Sequence, residues 1–129
     1  MAFSPVNPVL LLLVLFQLKH FICDGPLQTG AMVRDKGHYG RPLGLLHAGL
    51  HGVGTAIALL VAGVGLKLTV VLAVMDTLIH YHVDFSKETL VRLAGWTPKD
   101  APFWWAISAD QLLHQYTYLL VAWIVFTNA

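Results

Sequence analysis

The chain has 129 residues, 57% of them hydrophobic and only 12% charged, with a net charge of +1 and a mean hydropathy of +0.66. An ordinary soluble domain carries about 25% charged residues, and so few charges cannot cover the large relative surface of a small globule, which excludes that class. Polar low-complexity tracts, basic runs and a CxxC pair are all missing, and Cys23 is the only cysteine; this excludes a disordered chain, a nucleic-acid binder and a disulfide or thiolate-metal framework.

A membrane-crossing helix needs about 20 mostly apolar residues. The sequence supplies four candidates, so the expectation is an all-α, integral membrane four-helix bundle of up-down-up-down topology, a single transmembrane domain over 1–129. The first helix is expected at about 5–24, with no charged side chain before Lys19. It lacks a basic leader and a small-residue cleavage site, so it reads as an uncleaved helix and not a signal peptide. Gly25-Pro26 breaks it. The second is expected at about 43–64, inside the charge-free stretch between Arg41 and Lys67, and the third at about 68–83, interrupted by Asp76. The fourth is expected at about 103–127, with Asp110 its only charge.

Basic residues mark the cytoplasmic side. Lys19, Arg34, Lys36 and Arg41 flank the connection at about 25–42, and Lys87, Arg92 and Lys99 occupy the one at about 84–102, whereas the second connection holds only Lys67. The first and third connections are therefore expected in the cytoplasm and both termini outside. Trp96, Trp104 and Trp105 at one end of the last helix and Trp123 near the other match aromatic belts at two interfaces. Phe85, Leu90, Val91, Leu93 and Trp96 read either as a short surface helix or as plain loop.

The ionisable residues inside the apolar segments are the informative ones. His20/Asp24, His47/His51, His80/Asp84 and Asp110/His114 are each four residues apart, so each pair lies on one helix face, one turn apart. With alternating helices all four pairs reach the same cytoplasmic depth. Pointed at a common axis they form a His/Asp metal site of the kind helix bundles build from facing side chains. Without thiolate and rich in imidazole, the set suits a divalent transition metal, zinc, iron or manganese, better than calcium or copper(I).

Plainer readings stand beside this one. An intramembrane Asp costs about 2.5–3.5 kcal/mol on insertion scales, which weighs most for Asp76 and Asp110; His20, Asp24 and Asp84, near the interface, read equally as hydrated. Asp76 either joins the cluster or pairs elsewhere. Ala48, Gly52 and Ala56 read as a close-packing stripe, with Gly49 and Gly54 serving the same end or adding flexibility. His38 and His82 read as exposed, and Cys23 as a small packing residue.

Several motifs carry a resemblance. Lys19-His20-Phe21-Ile22-Cys23-Asp24 with Leu27-Gln28-Thr29, Met32 and Lys36, then Leu46-His47-Ala48-Gly49-Leu50-His51, then His80, Asp84 and Lys87 as His-x3-Asp-x2-Lys, and finally Asp110-Gln111-Leu112-Leu113-His114 resemble domain-of-unknown-function family 3307. That is a family of small multi-pass membrane proteins of bacteria and phages. Gly25-Pro26 departs from the apolar or aromatic residue usual after the Asp and implies an earlier end to helix one. The resemblance implies a bacterial inner (plasma) membrane location and assigns no activity.

The leading functional expectation is a metal-dependent hydrolase acting at the membrane, because a bound divalent ion lowers the pKa of its water toward about 7. His47, His51, His80 and His114, with His20, are the ligand candidates. Asp24, Asp84 and Asp110 serve as ligands or orienters, and Asp24 or Asp110 as a catalytic base. Eight donors would accommodate two ions. Gln28, Lys36 and Lys87, at the cytoplasmic mouth, suit an anionic group such as a phosphate. The alternatives are a proton or divalent-cation carrier, and a non-catalytic membrane scaffold or phage membrane protein. The lipid bilayer is the expected partner, with a homo-oligomer or a membrane partner left open and no nucleic acid.

Overall fold

The computed structural model describes residues 7–128, all of its regular structure helical. Five helices follow one another: α1 (Pro8–Asp24), α2 (Gly30–Lys36), α3 (Pro42–Val61), α4 (Leu66–Ala94) and α5 (Ala101–Thr127). Residues 5 and 6, expected to open the first helix, lie outside the described residues. Asn7 caps α1 by accepting a hydrogen bond from the Val9 amide, with Pro8 at the first helical position, and Thr29 caps α2 through the Met32 amide. Both follow the usual chemistry of helix starts. Ahead of α5, the Thr97 amide and hydroxyl donate to Asp100 at 2.8 and 2.9 Å, which holds this exposed carboxyl below its ordinary pKa.

α3 and α4 form a hairpin whose turn depends on Gly63, with φ of +82°. Gly63 donates to the Leu60 carbonyl and Val64 to the Leu59 carbonyl, the pattern that closes a helix through a left-handed residue. α4 ends the same way at Gly95, with φ of +67° and bonds from Gly95 to Arg92 and from Trp96 to Val91.

α4 departs most from expectation. Its 29 residues span about 43 Å at 1.5 Å per residue, and it continues without a break through the segment expected to be a connection from position 84. Lys87, Glu88 and Arg92 look like a polar linker, but Lys, Glu, Arg and Leu are all good helix formers, and no breaker intervenes before Gly95. Neither a separate surface helix nor a loop forms at Phe85–Leu93. In the other connection, α2 adds a short helix between Gly30 and Lys36 that the apolar pattern did not announce.

α3 packs on α1 and α4, α4 on α5, and α5 returns to α1, so the four long helices close a ring; α2 covers one end against α3 and α4. At the opposite end Leu12, Phe16, Leu59, Leu72 and Val121 build an apolar core. The α3–α4 contact is tightest at Gly52, where a Cβ would stand 1.9 Å from Thr77 Oγ1 and 3.2 Å from the Ala73 carbonyl oxygen. Gly49, by contrast, faces open space.

Beside this apolar core the molecule buries polar side chains and exposes apolar ones. His47, His51, Thr55, Asp76, His80 and His114 are all at or below 1% exposure, while Val14, Val53, Ile57, Val70, Leu78, Leu119 and Trp123 are exposed. Among the described residues two helices, α3 and α4, are long and apolar enough to cross a membrane.

Candidate metal centre

At the end of the ring covered by α2, each long helix presents one face to a common centre. On α3 that face runs His47, His51, Thr55; on α4, Asp76, His80, Asp84; on α5, Asp110, His114, Tyr118, all buried. Each is a ladder at four-residue steps, so consecutive members lie one above the other. α1 contributes His20 and Asp24 from its last turn.

The four expected pairs converge. Asp24 Oδ1 lies 2.8 Å from His51 Nε2 and 3.3 Å from His47 Nε2, and His47 Nε2 lies 3.4 Å from His80 Nε2. Asp84 Oδ2 is 3.3 Å from His80 Nε2 and 3.4 Å from His47 Nε2, and its Oδ1 is 3.2 Å from His114 Nε2. Asp110 Oδ1 completes the row at 3.4 Å from His114 Nε2. The rings of His51 and His80 stack at 3.6 Å between centroids, and those of His80 and His114 at 4.0 Å.

Two groups have donor atoms close enough to hold one ion: Asp24, His47, His51 and His80, and His80, Asp84 and His114, each within 4.8 Å. Tetrahedral bonds of about 2.1 Å place neighbouring donors about 3.4 Å apart, close to the spacings here. His80 belongs to both groups, so an ion in either one would draw on the same side chain.

Hydrogen bonds from outside the cluster separate the histidines. His20 Nδ1 lies 2.8 Å from the Tyr118 hydroxyl and its Nε2 faces Gln111 Oε1 at 2.7 Å and Asp24 Oδ2 at 3.1 Å. Both Nε2 partners are acceptors, so Nε2 carries the proton. His20 thus stands outside both groups and orients Asp24. His51 Nδ1 is 3.3 Å from Lys19 Nζ, and its Nε2 faces Asp24. With the lysine donating to Nδ1, His51 keeps its proton on Nε2 and must shift tautomer before it can bind an ion. Nε2 of His47 and of His80 also faces carboxylate oxygens, but among the described residues their buried Nδ1 atoms have no partner, so no outside donor opposes the shift of the proton to Nδ1 that would bare Nε2 for an ion.

Lys19 is the residue the sequence reading placed wrongly. Counted there among the basic residues flanking a connection, it is 6% exposed and lies 2.9 Å from Asp76 Oδ2, with its Nζ also 4.5 Å from the centroid of the Tyr118 ring. Thr55 donates to the same Asp76 oxygen at 2.6 Å. Asp76 therefore pairs with Lys19, one turn beyond the histidines, and Gly54 makes room for the lysine stem, which lies 3.2 Å from where its Cβ would be. Lys36, expected at an open mouth, is likewise buried; it meets Asp84 Oδ2 at 2.9 Å and Gln28 Oε1 at 2.6 Å. Lys87 pairs with its neighbour Glu88. Sequence reasoning also passed over Thr55 and Tyr118, and it named Gln111 within a motif without giving it a role. The first two were within reach, because each extends an i, i+4 ladder by one turn.

The residues given plainer readings behave accordingly. His38 and His82 are exposed, His82 bonding the Leu78 carbonyl and Tyr39. Cys23 is buried against the Leu50 carbonyl. α1 ends at Asp24.

The family description "Protein of unknown function (DUF3307)" matches residues 11–129. The chain belongs to the DUF3307 family. No curated protein and no solved structure matches this DUF3307 chain. The residues that carried the resemblance in the sequence, His20, Asp24, His47, His51, His80, Asp84, Asp110 and His114, all face the buried cluster of this family member.

Charge completes the description. Asp24, Asp76, Asp84 and Asp110 bring four negative charges to this end of the bundle, and Lys19 and Lys36 return two. The two remaining carboxylate charges are left for protonated imidazoles or a bound cation to offset. Burial makes such an imbalance expensive.

Proposed function

We propose that this DUF3307 protein is an integral membrane protein whose four long helices cross the bilayer and whose His/Asp cluster holds one divalent transition-metal ion, zinc, iron or manganese, for hydrolysis at the membrane. The multi-pass reading draws support from the apolar exterior: α1 and α5, like α3 and α4, carry exposed Leu and Val toward the surroundings. Arg34, Arg41, Arg92 and Lys99 are exposed at the cluster's end and Lys67 at the other, which favours a cytoplasmic cluster with both termini outside, even with Lys19 and Lys36 removed from the count.

The observation that carries the metal reading is the convergence of buried Nε2 and carboxylate atoms at ligand spacing, in a place where four carboxylates meet two lysines. His47, His80 and one of Asp24 or Asp84 are the ligands that need least rearrangement. The ion would supply an acidified water. The chain's own share is to leave room for it. A cleft of about 610 Å³ opens beside the cluster, with Asp24 and Asp110 on its wall. Asp110, on the wall of that cleft, is the carboxylate placed to accept a proton from water there, and His20 keeps Asp24 turned toward the histidines.

The carboxylates of Asp24 and Asp84 facing the cluster imidazoles favour a second reading, a metal-free cluster whose imidazoles carry the offsetting charge as protons and pass them on. Elemental analysis of the detergent-purified protein, made without a histidine tag, separates the two. One equivalent of zinc, iron or manganese, lost in His80→Ala, is the expected result; folded protein with no metal above background overturns the hydrolase reading and leaves the proton-bearing one.

A further inference from the structure

Two cavities meet at this end of the bundle. The polar cleft is lined in part by Gln28, Lys36, Lys87, Glu88 and Gln111 and reaches the cluster at Asp24 and Asp110. The second cavity, about 600 Å³, is an apolar groove on the outer face between α4 and α5, lined by Leu78, Ile79, Val83, Leu90 and Leu113. Ala106 and Ala109 of α5 open it, since larger side chains there would fill it. Lys87 and Asp110 line both cavities.

The lysines differ in what they hold. Lys19 ties α1 to α4 through Asp76, and Lys36 ties α2 to α4 through Asp84. Among the described residues Lys87 bonds only to Glu88, the next residue on its own helix, so it makes no tie between elements there. It is a largely buried cation at the junction of a polar cleft and an apolar groove, free to take another partner. From Lys87 the groove runs back along α4 to Leu78, nine residues or about 13 Å along the helix axis, toward the middle of the bilayer in the topology proposed above.

Resting on the hydrolytic reading, we infer that the substrate is a membrane lipid bearing a phosphate ester, its phosphate beside Lys87 in the polar cleft and its hydrocarbon tail in the α4–α5 groove. A water-soluble phosphate ester would use the cleft and leave the groove idle. A neutral lipid would use the groove and leave Lys87 to Glu88. An amphiphile with an anionic head satisfies both, and it enters from the bilayer without leaving it.

The test is equilibrium binding of dioleoyl phosphatidic acid in dodecyl maltoside micelles, read by thermophoresis, with glycerol 3-phosphate and dioleoylglycerol as probes lacking tail and head. Metal content is measured on the same samples. Phosphatidic acid is expected to bind at least ten-fold more tightly than either fragment. Lys87→Gln and Ala109→Phe should each weaken it at least five-fold with metal content unchanged; Ala109 faces outward, so the larger ring does not enter the core, and Ala106→Leu is the second groove variant. Glycerol 3-phosphate binding as tightly as the lipid, or lipid binding untouched by both groove variants, overturns the inference. Metal present without lipid preference defeats the lipid site alone. Lipid binding with no metal defeats the hydrolytic reading and supports the lipid site.

Discussion

Replacing Lys19 with methionine tests the polar interior most directly. Lys19 and Asp76 lie 2.9 Å apart at 6% and 1% side-chain exposure. At an effective dielectric constant of about 20 their attraction is about 6 kcal/mol, opposed by a desolvation cost of several kcal/mol per ion. The intact pair is therefore close to neutral against an apolar replacement, but an orphaned partner is not. Lys19→Met keeps the length of the stem and leaves Asp76 ionised with only the Thr55 hydroxyl to meet it, so a loss of about 3–5 kcal/mol is expected. Asp76→Asn alone strands the lysine at similar cost. The double variant removes both charges and should recover more than half of the summed losses. The assay is unfolding by sodium dodecyl sulfate titration from mixed micelles, read by circular dichroism, arranged as a double-mutant cycle. Single variants each losing less than about 1 kcal/mol, or a double variant whose loss equals the sum, would refute the buried pair.

Two further outcomes follow from the geometry. Gly52→Ala should destabilise by about 1–3 kcal/mol through overpacking, with Thr77→Ala in the same chain relieving part of it, whereas Gly49→Ala, facing open space, should be neutral or stabilise by up to about 1 kcal/mol on helix propensity; the same detergent titration reads both. His20→Ala should retain the metal with about 10–100-fold weaker affinity, as expected for a residue that orients a ligand, and His82→Ala should leave affinity unchanged; competition with a metallochromic chelator measures each, and an unchanged affinity in His20→Ala removes its role in holding Asp24.

The metal reading and the lipid reading make separate demands on the same end of the bundle. The ion needs bare Nε2 atoms of His47 and His80 and the surplus carboxylate charge. The lipid needs Lys87 to turn from Glu88 to a phosphate and Ala106 and Ala109 to stay small. None of the three residues in the second set lies within the donor groups, so variants at either set leave the other intact.

Most of this protein's candidate site was legible because helical periodicity is local. Pairs of His and Asp four residues apart must share a face whatever surrounds them, and an apolar stretch with a charge inside it implies an interior for that charge. His47/His51, His80/Asp84 and Asp110/His114 needed no neighbour to be grouped. The all-helical architecture came from the same source, since the apolar runs were long enough to exclude strands. The limits of each helix were less legible. Charged residues that suit a helix as well as a linker left the end of α4 to be decided at Gly95, where the left-handed closure stops it.

What each ionisable group does was settled only by packing. Lys19 precedes His20 by one residue and so points about 100° away from it around α1; whether that direction meets water or Asp76 depends on where α3 and α4 stand. Lys36 belongs to a stretch with the composition of a loop, and only the fold of α2 over the end of the ring brings it to Asp84. His20 has the spacing of a ligand, yet Tyr118 and Gln111, about ninety residues on, fix its proton on Nε2 and turn it into a support for Asp24. Residue spacing along one helix determines which side chains share a face, because that follows from the 3.6-residue turn alone. Which charges neutralise one another is a property of distances between helices, and those exist only once the ring has closed.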